Sequence, residues 1–195
     1  VVQESYGVHT RELPRKLGEP AEVVEGGEPS EIYNHQVVGA SSTDGWEFVS
    51  QEGTLLEHAS VPDGLAWPDG RVWIYFVNGQ SGQHGIFIAE RQDDGTFPIV
   101  DCVRIDGEFQ GNAVDPDVQM LPDGRVLLHF FKGFFVEPSS EEGFPIYSAV
   151  SGDGVHFEVQ DKVWQSEEGA TDPSVVQTAS GDWLMALWDQ EIARL

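Results

Sequence analysis

Three continuous apolar runs recur along the chain, at residues 72–77, 126–131 and 183–188. A run of this length without alternation is typical of a strand covered on both faces, whereas a half-exposed strand alternates apolar and polar residues. No segment carries the sustained 3.6-residue apolar periodicity of a helix. The pattern therefore predicts an all-β fold with three fully buried strands.

Each apolar run belongs to a longer repeat with two further landmarks. A proline stands ten residues before each run, and successive prolines are 54 and 57 residues apart. An Asp–Gly pair, which supplies the positive φ that a tight hairpin needs, marks a second position in each repeat. A period near 50 residues with four short strands is typical of a β-propeller blade. The prolines are Pro62, Pro116 and Pro173, and the Asp–Gly pairs begin at Asp44, Asp94 and Asp153.

The repeat assigns four strands, A to D, to each blade from the centre outward. Strand A begins at the proline, strand B is the apolar run, and strands C and D form the Asp–Gly hairpin. The predicted fold is an all-β propeller with four-stranded antiparallel blades, about three of which are present. The predicted divisions are a lead-in or partial strands at 1–33, a C–D pair at 34–58, blades at 59–106 and 112–165, and an A–B pair at 170–190.

About three blades are too few for a ring, since common closed propellers have at least four. An open arc exposes apolar sheet faces and unpaired strand edges at both ends. Three explanations stay open: the sequence is a fragment, two copies complete one ring as a homodimer, or residues 1–31 supply further strands. We expect a fragment of a five-bladed ring.

Acidic residues around the start of strand A are the candidate catalytic groups. Because strands alternate in direction, the residues that open strand A lie around the central funnel, away from the Asp–Gly turns. Aspartates on separate inner strands suit glycoside hydrolysis, in which one protonated carboxyl donates to the leaving oxygen and one carboxylate activates water or attacks the anomeric carbon. A structural role is the alternative, because Asp before Pro also caps backbone amides. The candidates are Asp63, Asp115, Asp172 and Glu168.

Other residues predicted near the funnel are candidate substrate contacts. Phe134 and Phe135, in the loop after the second apolar run, suit stacking on a sugar ring or packing against the next blade. His129 lies within a strand B and is predicted to be a hydrogen-bonded core residue. No His or Cys spacing resembles a zinc site, so no metal site is predicted. The remaining candidate contacts are Asn112, Asp117, His84 and Lys132.

Composition excludes several classes of protein. The chain of 195 residues has 34 acidic and 10 basic residues, a formal net charge of −24. Such a chain repels phosphate backbones and anionic lipids, so neither nucleic acid nor a membrane is an expected partner. A hydrophobic content of 39% with six Trp excludes a disordered acidic tail. The single Cys102 excludes an intrachain disulfide and is predicted to be a buried thiol.

Three motifs resemble a known group of enzymes. They are Asp-Pro-Asp-Val at 115–118, Asp-Gly-Arg-Val at 123–126, and Ser-x-Asp-Gly-x-x-Phe at 151–157. Together they resemble the five-bladed β-propeller glycosidases, a clan of arabinanases, β-xylosidases, levansucrases and invertases, with glycoside hydrolase family forty-three nearest. The resemblance covers roughly residues 35–190. It implies hydrolysis of glycosidic bonds in poly- or oligosaccharides.

The resemblance also implies roles for individual residues. In that family one inner-strand Asp is the general base, a second Asp tunes pKa and orients the substrate, and a Glu on a third strand is the general acid. Asp115 matches the pKa-tuning Asp. The preceding blade has Val61 where the base is expected, and the following blade has Asp172 where the acid Glu is expected. No cofactor is expected, and whether a central Ca²⁺ is bound stays open.

The leading hypothesis is a glycosidase in which Asp115 and Asp172 act on a carbohydrate substrate, in an extracellular or periplasmic location. One alternative is a non-catalytic propeller that binds glycan or protein through Phe134 and Phe135. Another is a sialidase-like propeller, because the motif at 151–157 is similar to the aspartate box of sialidases. The motif lacks the second spaced Gly and the Thr-Trp of that box.

Overall fold

Strands dominate the computed structural model, which describes residues 32–80, 84–132, 144–166 and 171–188. One short 3-10 helix at Ile32–Asn34 precedes them in the described part of the chain. Within the same ranges, no helix has the length and apolar character needed to cross a membrane. The prediction of an all-β chain is confirmed for these residues.

The first described strands form the C–D pair, a bent antiparallel hairpin around the turn at Asp44–Gly45. Its strand C is split into β1 and β2, and its strand D into β3 and β4, with β2 paired to β3 and β1 to β4. The four strands are β1 (Gln36–Val37), β2 (Ala40–Ser41), β3 (Val49–Ser50) and β4 (Leu56–Glu57).

The first blade is a four-stranded antiparallel sheet in the order β5-β6-β7-β8. Strand β6 is the first apolar run, and β7 and β8 flank the Asp94–Gly95 turn. This is the strand order A to D that the repeat predicts. The strands are β5 (Ala59–Ala66), β6 (Val72–Asn78), β7 (Ile86–Glu90) and β8 (Ile99–Cys102).

The second blade is wider than predicted, with six strands in the order β10-β9-β14-β13-β12-β11. Strand β9 pairs in parallel with the outer strand β14, so residues 104–105 belong to the sheet of the second blade. Strands β9 and β10 have only two residues each, too few to produce an alternation of apolar and polar residues, so the sequence did not predict them. The strands are β9 (Arg104–Ile105), β10 (Glu108–Phe109), β11 (Ala113–Met120), β12 (Val126–Lys132), β13 (Phe144–Ser151) and β14 (His156–Ser166).

The A–B pair follows as an antiparallel sheet of β15 (Thr171–Gln177) and β16 (Trp183–Trp188). The core lies between successive units rather than inside any one of them. In β6, Trp73 and Tyr75 join a buried cluster with the second blade, whereas Phe76 joins a cluster with the C–D pair. Strand B is therefore apolar on both faces because blades cover both of its sides.

The Asp–Gly turn of the second blade is held by its own side chains. The Ser151 hydroxyl donates to Asp153 at 2.9 Å and accepts the N–H of Gly154 at 2.8 Å. Burial alone would raise the pKa of Asp153, but hydrogen bonds from His156 and Val155 hold it well below its ordinary value. Gly154 has a φ of 76°, as an Asp–Gly hairpin requires. The acid of this turn is thus a structural residue.

Candidate active site

The three strands A share one backbone irregularity, and it falls on the candidate acids. In β5, β11 and β15 the pairing with strand B skips a dipeptide that ends in the anchoring proline. The residue before that proline is Val61, Asp115 or Asp172, with a positive φ of 45°, 54° and 51° respectively. Non-glycine residues rarely adopt this φ, and a following proline restricts the backbone further. Bulges of this kind re-aim side chains next to functional sites.

The bulges bring Asp115 and Asp172 together across neighbouring blades. The backbone N–H of Asp172 lies close enough to the Asp115 carboxyl to oppose a rise in its pKa. Asp115 is only 9% exposed, whereas Asp172 is exposed and accepts a hydrogen bond from the Thr171 hydroxyl at 3.0 Å. Burial, and then the negative charge of Asp172, raise the pKa of Asp115 to about 7.

The environments of these two carboxyl groups differ in the way that acid–base chemistry requires. Burial disfavours the charged form of Asp115, so a substantial share of this carboxyl is protonated at neutral pH. Asp172, in contrast, is exposed to solvent. A protonated and an ionised carboxyl side by side are a proton donor paired with a base or nucleophile.

Asp63 and Asp117 connect blades instead of lining a free site. Each follows the anchoring proline of its blade, and each accepts a backbone N–H from strand A of the next blade. Asp63 Oδ2 accepts from Val118 at 2.6 Å, and Asp117 Oδ1 accepts from Val175 at 3.1 Å. Burial raises the pKa of Asp63, and hydrogen bonds from Val118 and Gly64 oppose that rise. We call this contact the blade clasp.

The blade clasp gives two of the predicted site residues structural contacts. Asp63 was predicted to be catalytic, but its second oxygen accepts the N–H of Gly64 at 2.8 Å, so both oxygens are engaged by the backbone. Asp117 was predicted to bind substrate, but its Oδ2 accepts from the Gln119 amide at 3.2 Å. One feature of the sequence could have indicated this structural role: an Asp follows the anchoring proline in two consecutive repeats, at Asp63 and Asp117.

Replacing Asp63 by Ala is expected to destabilise the fold by roughly 1–3 kcal/mol, because the half-buried N–H of Val118 loses its acceptor. Asp63→Asn keeps an acceptor oxygen and is expected to recover most of that loss. Urea denaturation followed by tryptophan fluorescence measures both. Asp93→Ala, in an exposed turn, is the control and should change stability by less than about 0.5 kcal/mol. Equal stability of Asp63→Ala and the unmodified chain would contradict the clasp.

The other candidate contacts are tied to their own blades or lie outside the described residues. His84 donates through Nδ1 to the carbonyl of Asn78 at 3.0 Å, and burial lowers its pKa. Lys132 Nζ lies 5.8 Å from the ring centroid of Tyr147. Asn112 precedes β11, and its buried Oδ1 has no hydrogen-bond partner within the part of the chain that the structure describes. The predicted contacts Phe134 and Phe135 and the predicted acid Glu168 fall outside the described residues.

No metal centre emerges from the side chains that the structure describes, since no group of three or more His, Cys, Asp or Glu could hold an ion there. His129 differs from its prediction as a satisfied core residue. It is buried, but its Nδ1 has no hydrogen-bond partner among the described residues and lies 3.5 Å from Asp117 Oδ2.

Sequence comparison assigns no family to the chain: no family model matches it, and no curated protein matches it. Structure comparison does find relatives in fold. An endo-1,4-beta-xylanase from Bacteroides thetaiotaomicron has a TM-score of 0.54 and 17% identity, covering 73% of this chain and 54% of that one. An endo-arabinase from the same organism has a TM-score of 0.58 and 15% identity, covering 80% of this chain and 63% of that one.

The chain thus spans between about half and two thirds of the length of these two solved structures. At this level of identity the likeness concerns the fold. It confirms the predicted β-propeller, in which the first blade has four antiparallel strands and the second adds two short strands to its outer edge. It agrees with the resemblance to propeller glycosidases that the motifs indicated.

Proposed function

We propose that the chain hydrolyses glycosidic bonds in poly- or oligosaccharides, with Asp115 and Asp172 as its paired carboxylates. The contact between these two residues carries the proposal. They occupy equivalent positions in the repeat, each has a positive φ in a bulge, and they differ in burial. Asp115 holds a proton near neutral pH, and Asp172 presents a carboxylate beside it.

The division of labour follows from the two environments. Asp115 donates its proton to the leaving glycosidic oxygen as the bond from that oxygen to the anomeric carbon breaks. Asp172 either removes a proton from the attacking water or bonds to the anomeric carbon itself. The proton lost by Asp115 is regained from water or from Asp172 at the end of the cycle, so the enzyme is unchanged. Glu168, which the sequence predicts at the same rim of the funnel, stays a candidate for a second acid.

Xylan and arabinan are the substrates to try first, because the two solved structures of similar fold are described as an endo-1,4-beta-xylanase and an endo-arabinase. A net charge of −24 argues against polyanionic ligands and suits a neutral polysaccharide. An extracellular or periplasmic location belongs to the same proposal, since polysaccharides of this kind lie outside the cell. No cofactor takes part in the chemistry assigned to the two carboxyls.

The pH dependence of hydrolysis tests the proposal. We expect kcat/KM on arabinan and xylan oligosaccharides to fall about tenfold per pH unit above pH 7, because Asp115 loses the proton it must donate. Reducing-sugar assays from pH 5 to pH 9 measure this. A rate that stays constant between pH 6 and pH 9 would contradict the role of Asp115. Binding of oligosaccharides without any turnover would favour a non-catalytic glycan-binding propeller instead.

A further inference from the structure

Both backbone polar groups of Val175, in strand β15, are held by side chains of the second blade. Asp117 Oδ1 accepts the N–H of Val175 at 3.1 Å, and the Gln119 side-chain amide donates to the carbonyl of the same residue. Val175 is buried, and buried backbone groups need hydrogen-bond partners. Two side chains of strand β11 thus do for β15 what a neighbouring strand does within a sheet.

These hydrogen bonds close into a ring. The Gln119 amide also donates to Asp117 Oδ2 at 3.2 Å, so both of its N–H groups are engaged at the same time. The buried His129 faces Asp117 from β12 and has its Nδ1 3.5 Å from the same oxygen. A shift of β15 along β11 by a single residue, about 3.3 Å, would break the ring. We call the ring formed by Asp117, Gln119 and Val175 the Val175 clamp.

The Val175 clamp lies next to the two bulges that carry the paired carboxyls. Asp117 comes two residues after Asp115, and Val175 comes three residues after Asp172. Each of these links passes through the anchoring proline of its strand, whose ring fixes φ. In both strands the clamp binds at or directly after the point where regular pairing with strand B resumes. Because the links are short and stiff, the clamp determines how far apart the two carboxyls lie.

The contact between the first and second blades lacks half of this arrangement. There Asp63 takes the place of Asp117, but Leu65 takes the place of Gln119 and has no group that could hold a carbonyl. The bulges of those two strands A carry a valine and an aspartate, so no pair of carboxyls has to be positioned. An Asp alone therefore joins these two blades, and the Gln is added where two carboxyls meet.

We propose that Asp117 and Gln119 are positioning residues for the reaction of Asp115 and Asp172, acting through the backbone of β15 rather than by touching the sugar. This role rests on the proposed function. In glycoside hydrolysis the spacing of the two carboxyls decides the mechanism: about 5–5.5 Å suits attack on the anomeric carbon, and about 6.5–9.5 Å leaves room for water. A clamp that resists sliding keeps the pair at one of these spacings.

Gln119→Leu tests the role of the clamp, because leucine is the residue that the first blade has at this position. We expect kcat on arabinan and xylan oligosaccharides to fall about 10–100-fold, since misplacing reacting groups by about 1 Å costs up to about 10²-fold. KM should change by less than about twofold, because the clamp does not contact the sugar. Circular dichroism and urea denaturation define the temperature at which the variant is fully folded, and the kinetics are measured there.

Gln160→Leu is the matched control. The Gln160 amide also donates to a backbone carbonyl, that of Glu158 at 3.1 Å, but it lies on the outer strand β14. The same substitution there should leave kcat and KM unchanged. Asp117→Asn keeps an oxygen for the N–H of Val175, so it should retain more activity than Asp117→Ala. Equal kcat for Gln119→Leu, Gln160→Leu and the unmodified chain overturns the positioning role.

Titration of Asp115 distinguishes the positioning role from the proposed function. Carbon NMR of labelled aspartate side chains follows the carboxyls, and the signal missing from Asp115→Asn is that of Asp115. Burial, and then the charge of Asp172, raise its pKa to about 7. If the clamp holds Asp172 in place, Gln119→Leu should lower this pKa and Gln160→Leu should not.

The two readouts separate the possible failures. A pKa lowered by Gln119→Leu in a chain that hydrolyses no glycoside supports the clamp's control of the spacing and rejects the proposed function. An active chain in which Gln119→Leu changes neither kcat nor the titration of Asp115 keeps the proposed function and rejects the positioning role.

Discussion

Replacing Asp115 by Asn is expected to slow hydrolysis strongly and, at the same time, to stabilise the fold above neutral pH. The stability effect follows from proton linkage. The pKa of Asp115 is about 7 in the folded chain and near the ordinary 3.8 in the unfolded one. The folded state therefore binds more protons between these values, and its stability falls as pH rises from about 4 to about 7. Asn does not titrate, so Asp115→Asn escapes this fall.

The size of the effect is set by the shift in pKa. About 3 pKa units correspond to about 4 kcal/mol, which is the upper bound on the gain of Asp115→Asn over the unmodified chain between pH 4 and pH 8. Urea denaturation at several pH values measures it. Asp123→Asn, in an exposed turn where Asp123 pairs with Arg125, is the matched control and should show no such pH-dependent gain. A stability difference for Asp115→Asn that does not change with pH would contradict the buried, protonated carboxyl.

Hydrolysis by Asp115→Asn should fall by about 10²–10⁴-fold on oligosaccharides, because the amide cannot donate a proton to the leaving oxygen. The loss should be smaller on 4-nitrophenyl glycosides, whose leaving group needs little protonation. This difference between the two substrates separates loss of an acid from loss of the fold. Equal losses on both substrates would assign Asp115 a role other than proton donation.

The second large effect concerns packing between the blades. Gly154→Ala is expected to cost about 3–5 kcal/mol, because a Cβ there would lie 2.6 Å from both the Trp67 ring and the Tyr75 hydroxyl. Gly95→Ala is the matched control. Gly95 occupies the same turn position in the first blade, with a φ of 84° against 76°, and has nothing within 4 Å of its Cβ position.

Both substitutions share the backbone penalty of placing Ala at positive φ, roughly 1–2 kcal/mol. The difference between them therefore isolates the steric cost of separating the two blades. Thermal and urea denaturation of the two variants measure that difference. Equal destabilisation would mean that the turn at Gly154 is not packed as tightly against Trp67 as the structure has it.

The sequence predicted the strands well because they repeat. Period, anchoring prolines and Asp–Gly turns recur three times, and each recurrence strengthens the assignment of the others. It also placed Asp115 and Asp172 at equivalent positions around one funnel. The sequence did not predict the bulges in which Asp115 and Asp172 have a positive φ. Residues before proline usually avoid this conformation, and it persists where tertiary packing imposes it.

Contacts between residues far apart in the sequence could not be predicted from it. Asp63 and Asp117 looked like free funnel acids, yet each accepts a backbone N–H more than 50 residues away. No local pattern in the sequence predicts such a partner. The position of each Asp directly after a proline does indicate that the two residues play the same part in their blades. The lack of a hydrogen-bond partner for His129 Nδ1 among the described residues has the same cause. In the first blade Tyr75 occupies that position and has its partner in the next blade.

The positive φ at Val61 has a consequence for how such a funnel evolves. Val61 is strained in the same way as the two aspartates, although it carries no group capable of catalysis. The strain is therefore inherited with the blade and does not have to be re-created for each new active site. A single codon change such as Val61→Asp would install a carboxylate on a backbone already shaped to present it. In this scaffold the side chain before the proline can thus change while the bulged backbone conformation stays the same.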